Sequence, residues 1–251
     1  MSSHASPYEF LAAPLTVARG NVTASVTEEL RRAIVTLELR PGEVLDKGAI
    51  CERFGVSRFP VSEALARLQA DGLVDIQPQR GSTVSLVRLA DVIECMLIRK
   101  ALECEALRVL IGNQTAELIE ALSRNMVAQR AAADRDDRQL FHQLDLDFHD
   151  MLFAGMHFAR IKAVIEAVRA NLDRARRLII TPRRLAYSIH EHQAVFDAIV
   201  AGDPARGTAA MRAHIDSVMV ELIAFARDRP EFFADGSELS PAGGRDDFPF
   251  G

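Results

Sequence analysis

Apolar positions recur at helical spacing early in the chain, alternate briefly, and return to helical spacing for good after residue 88. Ser25 and Glu28 have capping-box spacing ahead of an amphipathic stretch, residues 26–37, which Arg40-Pro41-Gly42 stops. Residues 47–54 form a second amphipathic segment, broken by Gly55-Val56. Ser57 is placed to cap a third helix, in which Val61, Ala64, Leu65 and Leu68 make the buried stripe. Its opposite side carries Arg58, Phe59, Ser62 and Glu63. Leu73, Val74 and Ile76 then read as a strand, residues 77–81 as a turn, and residues 83–87 as the returning strand.

Beyond Leu89 the strand signals stop. Helical patterns cover residues 91–111, 116–134, 138–157, 160–180, 183–201 and 204–227. Gly202-Asp203-Pro204 sets a C′ glycine, a capping carboxylate and an N1 proline in sequence, and Thr181-Pro182 separates another pair. Six or seven amphipathic helices with short connections make an antiparallel bundle. The expected fold class is therefore mainly α, an N-terminal winged helix-turn-helix followed by an antiparallel all-α bundle. The expected division is a flexible tail (1–19), the winged helix-turn-helix (20–87), the all-α domain (88–232) and a second flexible tail (233–251), rich in Gly, Pro, Ser and Asp.

Two helices joined by a short Gly-containing turn, the second exposing polar groups near its N-terminus, match the geometry that enters a DNA major groove. A hairpin directly after such a helix is a wing, and Arg80 with Gly81 at its tip can approach phosphates or a minor groove. Charge tempers that picture. The 251 residues carry a net charge of -5, and residues 19–87 hold nine Lys/Arg against nine Asp/Glu. Non-specific affinity should be modest and salt-dependent, with a homodimer supplying the second half of the grip. No apolar run reaches the roughly 18 residues of a membrane span, and with no charged region followed by an apolar core in the first residues, no secretory signal is expected. Cys51, Cys95 and Cys104 form no CxxC pair, and their odd number suits a reducing cytoplasm, where they serve as small buried hydrophobes.

The helical half carries a second constellation. Asp145 and His149 lie four apart and share a face with Phe141, Leu144, Phe148 and Leu152. His192 falls on the apolar stripe of Ile189, Val195, Phe196 and Ile199, whereas His190 falls with Asp197 on the outer side. His214 sits three after Met211 and four before Val218, again facing inward. Each histidine alone reads as a hydrogen-bonded core residue. Together, three imidazoles and a carboxylate aimed at one interior suit a divalent transition metal, since an interior carboxylate must be neutralised or coordinated. His142 competes as a candidate but reads as a surface residue or one behind the ligands, and His157 as a helix-end cap.

The run LRPGEVLDKGAICERFGVSRFPVSEALARLQADGLVDIQPQRGSTV resembles the winged-helix domain of the GntR superfamily of bacterial transcription regulators. Many relatives have Arg-Thr-Pro-Val-Arg where this chain has Arg58-Phe59-Pro60-Val61-Ser62, and many carry an Arg near Gly48, where only Lys47 is close. The resemblance implies DNA contacts by Arg58 and Arg80, and altered ones at Phe59 and Ser62. Phe59 either meets a thymine methyl or packs on the domain surface; Ser62 serves a base, a phosphate or only solvent.

Residues 89–227 are similar to the FCD effector domain of the FadR subgroup, through Asp145-Leu146-Asp147-Phe148-His149, Glu191-His192-Gln193-Ala194-Val195 and Ala210-Met211-Arg212-Ala213-His214. That similarity implies that Asp145, His149, His192 and His214 bind zinc, nickel or manganese, and that Arg99 faces a cavity for the carboxylate of a small organic acid. Arg99 reads equally as a surface residue paired with Glu103; Arg174, Arg176 and Arg177 are further candidates for the carboxylate, although such a run usually reads as a solvated face. The implied protein is no enzyme. It is a dimeric, acid-responsive repressor of operator double-stranded DNA, with no membrane partner. A metal-sensing regulator and a metal-dependent hydrolase are the rivals.

Overall fold

The computed structural model describes residues 8–12, 22–154, 164 and 172–236. The chain forms two units, one from residues up to Arg88 together with those from Arg229 onward, the other Leu89–Asp228. The first contains α1 (Val22–Val35), β1 (Val44–Leu45), α2 (Lys47–Phe54), α3 (Arg58–Ala70), β2 (Val74–Gln77) and β3 (Gly81–Val84). The strands pair antiparallel in the order β1-β3-β2, with Val44 opposite Thr83 and Val74 opposite Val84. Leu30, Ile34, Ile50, Phe54, Leu65 and Leu68 close the core against Val74 and Val84. Gly55 at φ +67° turns the chain between α2 and α3, and the Val56 N–H donates to Cys51 O (3.1 Å).

Several local expectations change. Helix α1 already runs at Val22, so Ser25 and Glu28 lie inside it rather than at its start. Ser57 has the extended backbone of an N-cap, but its hydroxyl caps nothing. Asp46 is the working cap of this motif, its Oδ1 accepting from Gly48 N (2.8 Å) and Ala49 N (3.1 Å) at the start of α2. Strand β1 is two residues long, too short to leave an alternation, and β3 ends at Val84 rather than 87.

The expected N-terminal tail is not free over residues 8–12. Tyr8 and Leu11 are buried in the winged-helix core. Asp46 N donates to the Tyr8 hydroxyl (2.8 Å), Arg53 Nε to Leu11 O (2.9 Å), and Arg32 Nη2 to Phe10 O (3.0 Å). The apolar cluster Tyr8, Phe10 and Leu11 gains more by burial than the loop loses in entropy. At the other end, Val87 N donates to Phe232 O (2.9 Å) and Ala234 N to Val87 O (2.8 Å), and Phe233 is buried. The helical unit thus stops at Asp228, not 232, and Phe233 lies outside any free tail.

The second unit contains α4 (Leu89–Leu110), α5 (Ala116–Asp134), α6 (Arg138–Ala154), α7 (helical residues 172–178), α8 (Pro182–Ala201) and α9 (Pro204–Asp228). Helix α9 packs on α4 and α8, α5 on α6 and α8, and α4 on α6. Thr115 and Thr181 cap α5 and α8 by accepting from Leu118 N (3.2 Å) and Arg184 N (3.1 Å), and Gly202 at φ +67° ends α8. His157 and most of residues 155–171 lie outside the described residues. Among the described residues no helix is long and apolar enough to cross a membrane.

Candidate metal centre and reading helix

Helices α6, α8 and α9 each turn an apolar stripe inward, and that stripe carries the four polar side chains of the centre. Asp145, His149, His192 and His214 are all buried, and one ligand atom from each lies within 4.8 Å of every other. The His149 and His192 ring centroids are 5.2 Å apart, those of His192 and His214 4.6 Å, and Phe148 stacks on His192 at 4.3 Å.

The orientation of each ring has a visible cause. His192 Nδ1 donates to Gln129 Oε1 (2.9 Å). Gln129 Nε2 in turn donates to Asn125 Oδ1 (2.7 Å), and Asn125 to Leu144 O (2.9 Å), so the amide can only accept from the ring. His214 Nδ1 donates to Glu191 Oε2 (2.8 Å), a carboxylate that also accepts from Ser217 Oγ (2.5 Å) and pairs with Arg184. His149 Nδ1 stands 2.7 Å from Glu103 Oε2, whose other oxygen accepts from Arg99 Nε (2.5 Å). All three Nε2 atoms are buried with no hydrogen-bond partner.

Electrostatics keep those nitrogens free of protons. Burial pushes the His149 imidazolium down to about 4, against the pull of Glu103. Burial likewise lowers His214, and lowers His192 well below the ordinary histidine value, with His214 adding repulsion. Burial opposes ionisation of Asp145, but Arg176 and the imidazoles hold its carboxyl well below the usual range. The donor set fits a divalent transition ion. It offers three orphaned imidazole nitrogens and one carboxylate, with Nδ1 of His192 and His214 hydrogen-bonded to acceptors and that of His149 beside Glu103, as suits metal-binding histidines.

The structure places the remaining predicted residues differently. Arg99 is interior, only 4 % exposed, and pairs with Glu103 there rather than at the surface. Arg174 and Arg176 are buried too, so the arginine run is no solvated face. His142 is buried, not a surface residue, and burial followed by Arg176 and Arg177 brings it down to about 3. His190 is exposed, as expected. Gln129 is the residue the sequence leaves unmarked, since no local pattern points to it, whereas Glu103 and Arg176, expected at the surface, are buried.

In the first unit, α3 presents Arg58, Phe59 and Ser62 to solvent, while Val61, Ala64, Leu65 and Leu68 are buried. Phe59 is 74 % exposed, which rules out packing on the domain surface. Arg80 and Gly81 are exposed at the wing tip, where Gln79 and Gly81 have φ of +63° and +100°. Lys47 is half-buried at the start of α2.

A helix-turn-helix with a wing, followed by an all-helical domain, defines a DNA-binding transcription regulator. Residues 22–84 match the gntR family of bacterial regulatory proteins, and residues 94–217 match the FCD domain. An uncharacterised HTH-type transcriptional regulator in an unstable DNA locus of Streptomyces ambofaciens is 33 % identical, covering 85 % of this chain and 90 % of its own. The HTH-type transcriptional repressor RspR of Escherichia coli K12 is 30 % identical, covering 85 % and 94 %. The crystal structure of a GntR regulator from Rhodococcus sp. RHA1 has the same fold, with a TM-score of 0.69 at 21 % identity over 80 % of this chain and 97 % of that one. This chain belongs to the GntR family of bacterial transcription regulators, and its relatives are regulators rather than enzymes.

Proposed function

We propose that this regulator is a dimeric, cytoplasmic repressor whose helical domain holds a divalent transition metal and responds to a small carboxylate effector. The observation that carries the reading is the cluster of buried Asp145, His149, His192 and His214, with one ligand atom from each within 4.8 Å of the others and all three Nε2 atoms without a hydrogen-bond partner. Asp145, His149, His192 and His214 would hold the ion, zinc, nickel or manganese by their chemistry, and the ion would supply a positive charge for an anionic ligand. Glu103, Gln129 and Glu191 fix the rings, and Arg99 and Arg176 add guanidinium charge around them. On the DNA side, Arg58, Phe59 and Ser62 of α3 read the major groove, Phe59 against a thymine methyl, while Lys47, Arg80 and Gly81 meet the backbone or the minor groove. The effector acts by preferring one of two arrangements of the protein that differ in operator affinity. Repression is supported by the name of the relative RspR, a transcriptional repressor.

Selection of genomic fragments by the metal-loaded chain, followed by gel shifts with and without small organic acids, tests this. The expected result is a preferred fragment released by an acid. No preference over random duplex would reject it. Operator binding that follows metal alone, with no response to any acid, would make the protein a metal sensor instead.

A further inference from the structure

The chain beyond α9 does not trail away. Pro230–Phe232 form a single 3-10 turn. Arg229 steadies it, its Nε pairing with Glu231 Oε1 (2.6 Å) and its guanidinium lying 4.9 Å from the centre of the Phe232 ring. Phe233 then runs parallel to Val87 as an isolated β-bridge. Val87 N donates to Phe232 O (2.9 Å) and Ala234 N to Val87 O (2.8 Å), so both backbone polar groups of Val87 are answered by this one segment. Val87 is 1 % exposed and Phe233 3 %. Gly236 closes the loop on Pro230: a Cβ there would lie 2.6 Å from Pro230 O and 3.0 Å from its Cα, so only glycine fits.

Val87 lies in the short connection between β3, the last strand of the wing, and α4. The chain leaves the first unit after Arg88 and returns to it at Arg229. Reader and helical domain are therefore joined by two covalent crossings. The bridge ties a residue just before the first crossing to residues just after the second. Helix α4 starts at one crossing, α9 ends at the other, and these two helices pack on each other. An unpaired connection turns about two soft torsions per residue, whereas a paired one has given up that freedom on folding. Two hydrogen bonds alone are a weak tie in water, and the buried Phe233 side chain is what makes this one persist. In a dimer both readers must reach their half-sites at once. Affinity for the second half-site rises with how narrowly the connection confines its reader.

We propose that residues 229–236 are a strap that stiffens the connection between reader and helical domain, and that Phe233 and Gly236 are positioning residues for operator binding. They act through Val87 and not by touching DNA. The positioning role rests on the reading that a dimer grips an operator of two half-sites; the strap itself does not.

Amide hydrogen exchange of the full metal-loaded chain, read by NMR, tests the strap. Val87 and Ala234 should exchange slowly in the native chain. In Phe233→Ala and Gly236→Val, Val87 should exchange about tenfold faster or more, while Leu65 and Leu68 in the reader's core keep their protection. Fast exchange at Val87 in the native chain overturns the strap. Gel shifts then compare the genomic fragment selected above with a duplex carrying one of its half-sites. Both variants should lose about tenfold or more on the full site and bind the single half-site as the native chain does. Phe233→Leu, which keeps an apolar side chain, should recover most of the loss. Native affinity for the full site in both variants overturns the positioning role, and so do equal losses on the full and the single site, which would make Phe233 only a core residue of the reader. If the native chain prefers no fragment, the positioning role falls with the operator reading, and the exchange at Val87 still decides the strap.

Discussion

His149 and His192 show how much of a side chain's chemistry is set by what stands behind it. The His192 ring is turned by the Gln129 acceptor on its Nδ1, and His149 Nδ1 stands 2.7 Å from the Glu103 carboxylate, while both Nε2 atoms are left buried without a partner. Replacing either with Ala should remove stoichiometric metal, and full metal content by elemental analysis would contradict the assignment. Gln129→Ala should be milder, lowering metal affinity roughly 10- to 100-fold as such outer partners do; competition against a chelating dye measures it. On α3, Arg58→Ala should weaken specific operator binding by about 1–3 kcal/mol if it bonds a base edge. A gel-shift series that finds unchanged operator affinity would remove Arg58 from the interface. The Asp145, His149, His192 and His214 set was legible because helical phase alone puts these residues on inward stripes. Gln129 was not, because a polar residue on α5 gives no sign that a histidine on α8 will face it. Arg174 and Arg176 misled in the opposite direction: arginine is rarely buried, and for Arg176 the Asp145 carboxylate makes the interior tolerable.

At the scale of elements, short-range signals succeeded where a glycine or threonine sets backbone geometry and failed where a longer apolar context overrode them. Gly55 and Gly202 end their helices in the left-handed region, as the sequence suggests. Nothing lies within 4 Å of a Cβ built at Gly55, so Gly55→Ala should cost only the backbone penalty of that region, about 1–2 kcal/mol. Urea unfolding reads this directly; an unchanged midpoint would show that the turn relaxes. Leu65→Ala, at a fully buried position of α3, should cost about 2–5 kcal/mol by the same measurement. The capping box at Ser25 and Glu28 fails because α1 has already started by then, and Ser57 caps nothing although it occupies the cap position. Such motifs are local offers, which the helix takes up only when its start falls there.

For the whole molecule, the proposed ion binds the folded chain and not the unfolded one, so its removal should lower thermal stability. At a free concentration a hundredfold above its Kd, an ion of this kind contributes about 2.7 kcal/mol. Calorimetry before and after treatment with a chelator should show a lower Tm that zinc, nickel or manganese restores; an unchanged Tm would count against the centre. By itself the sequence determined the order of the elements, the reading helix with its wing, the helical second half and the identity of the four inward polar residues. All of these follow from periodicity and short-range backbone chemistry, which act between residues a few positions apart. Only the tertiary structure decided that Tyr8 and Leu11 join the first core, that Phe233 returns to Val87, and that Glu103, Gln129 and Glu191 stand behind the rings. Those contacts bring together residues far apart in the chain or on different helices. Their free energy comes from burial and from hydrogen bonds that exist only once the whole chain has closed.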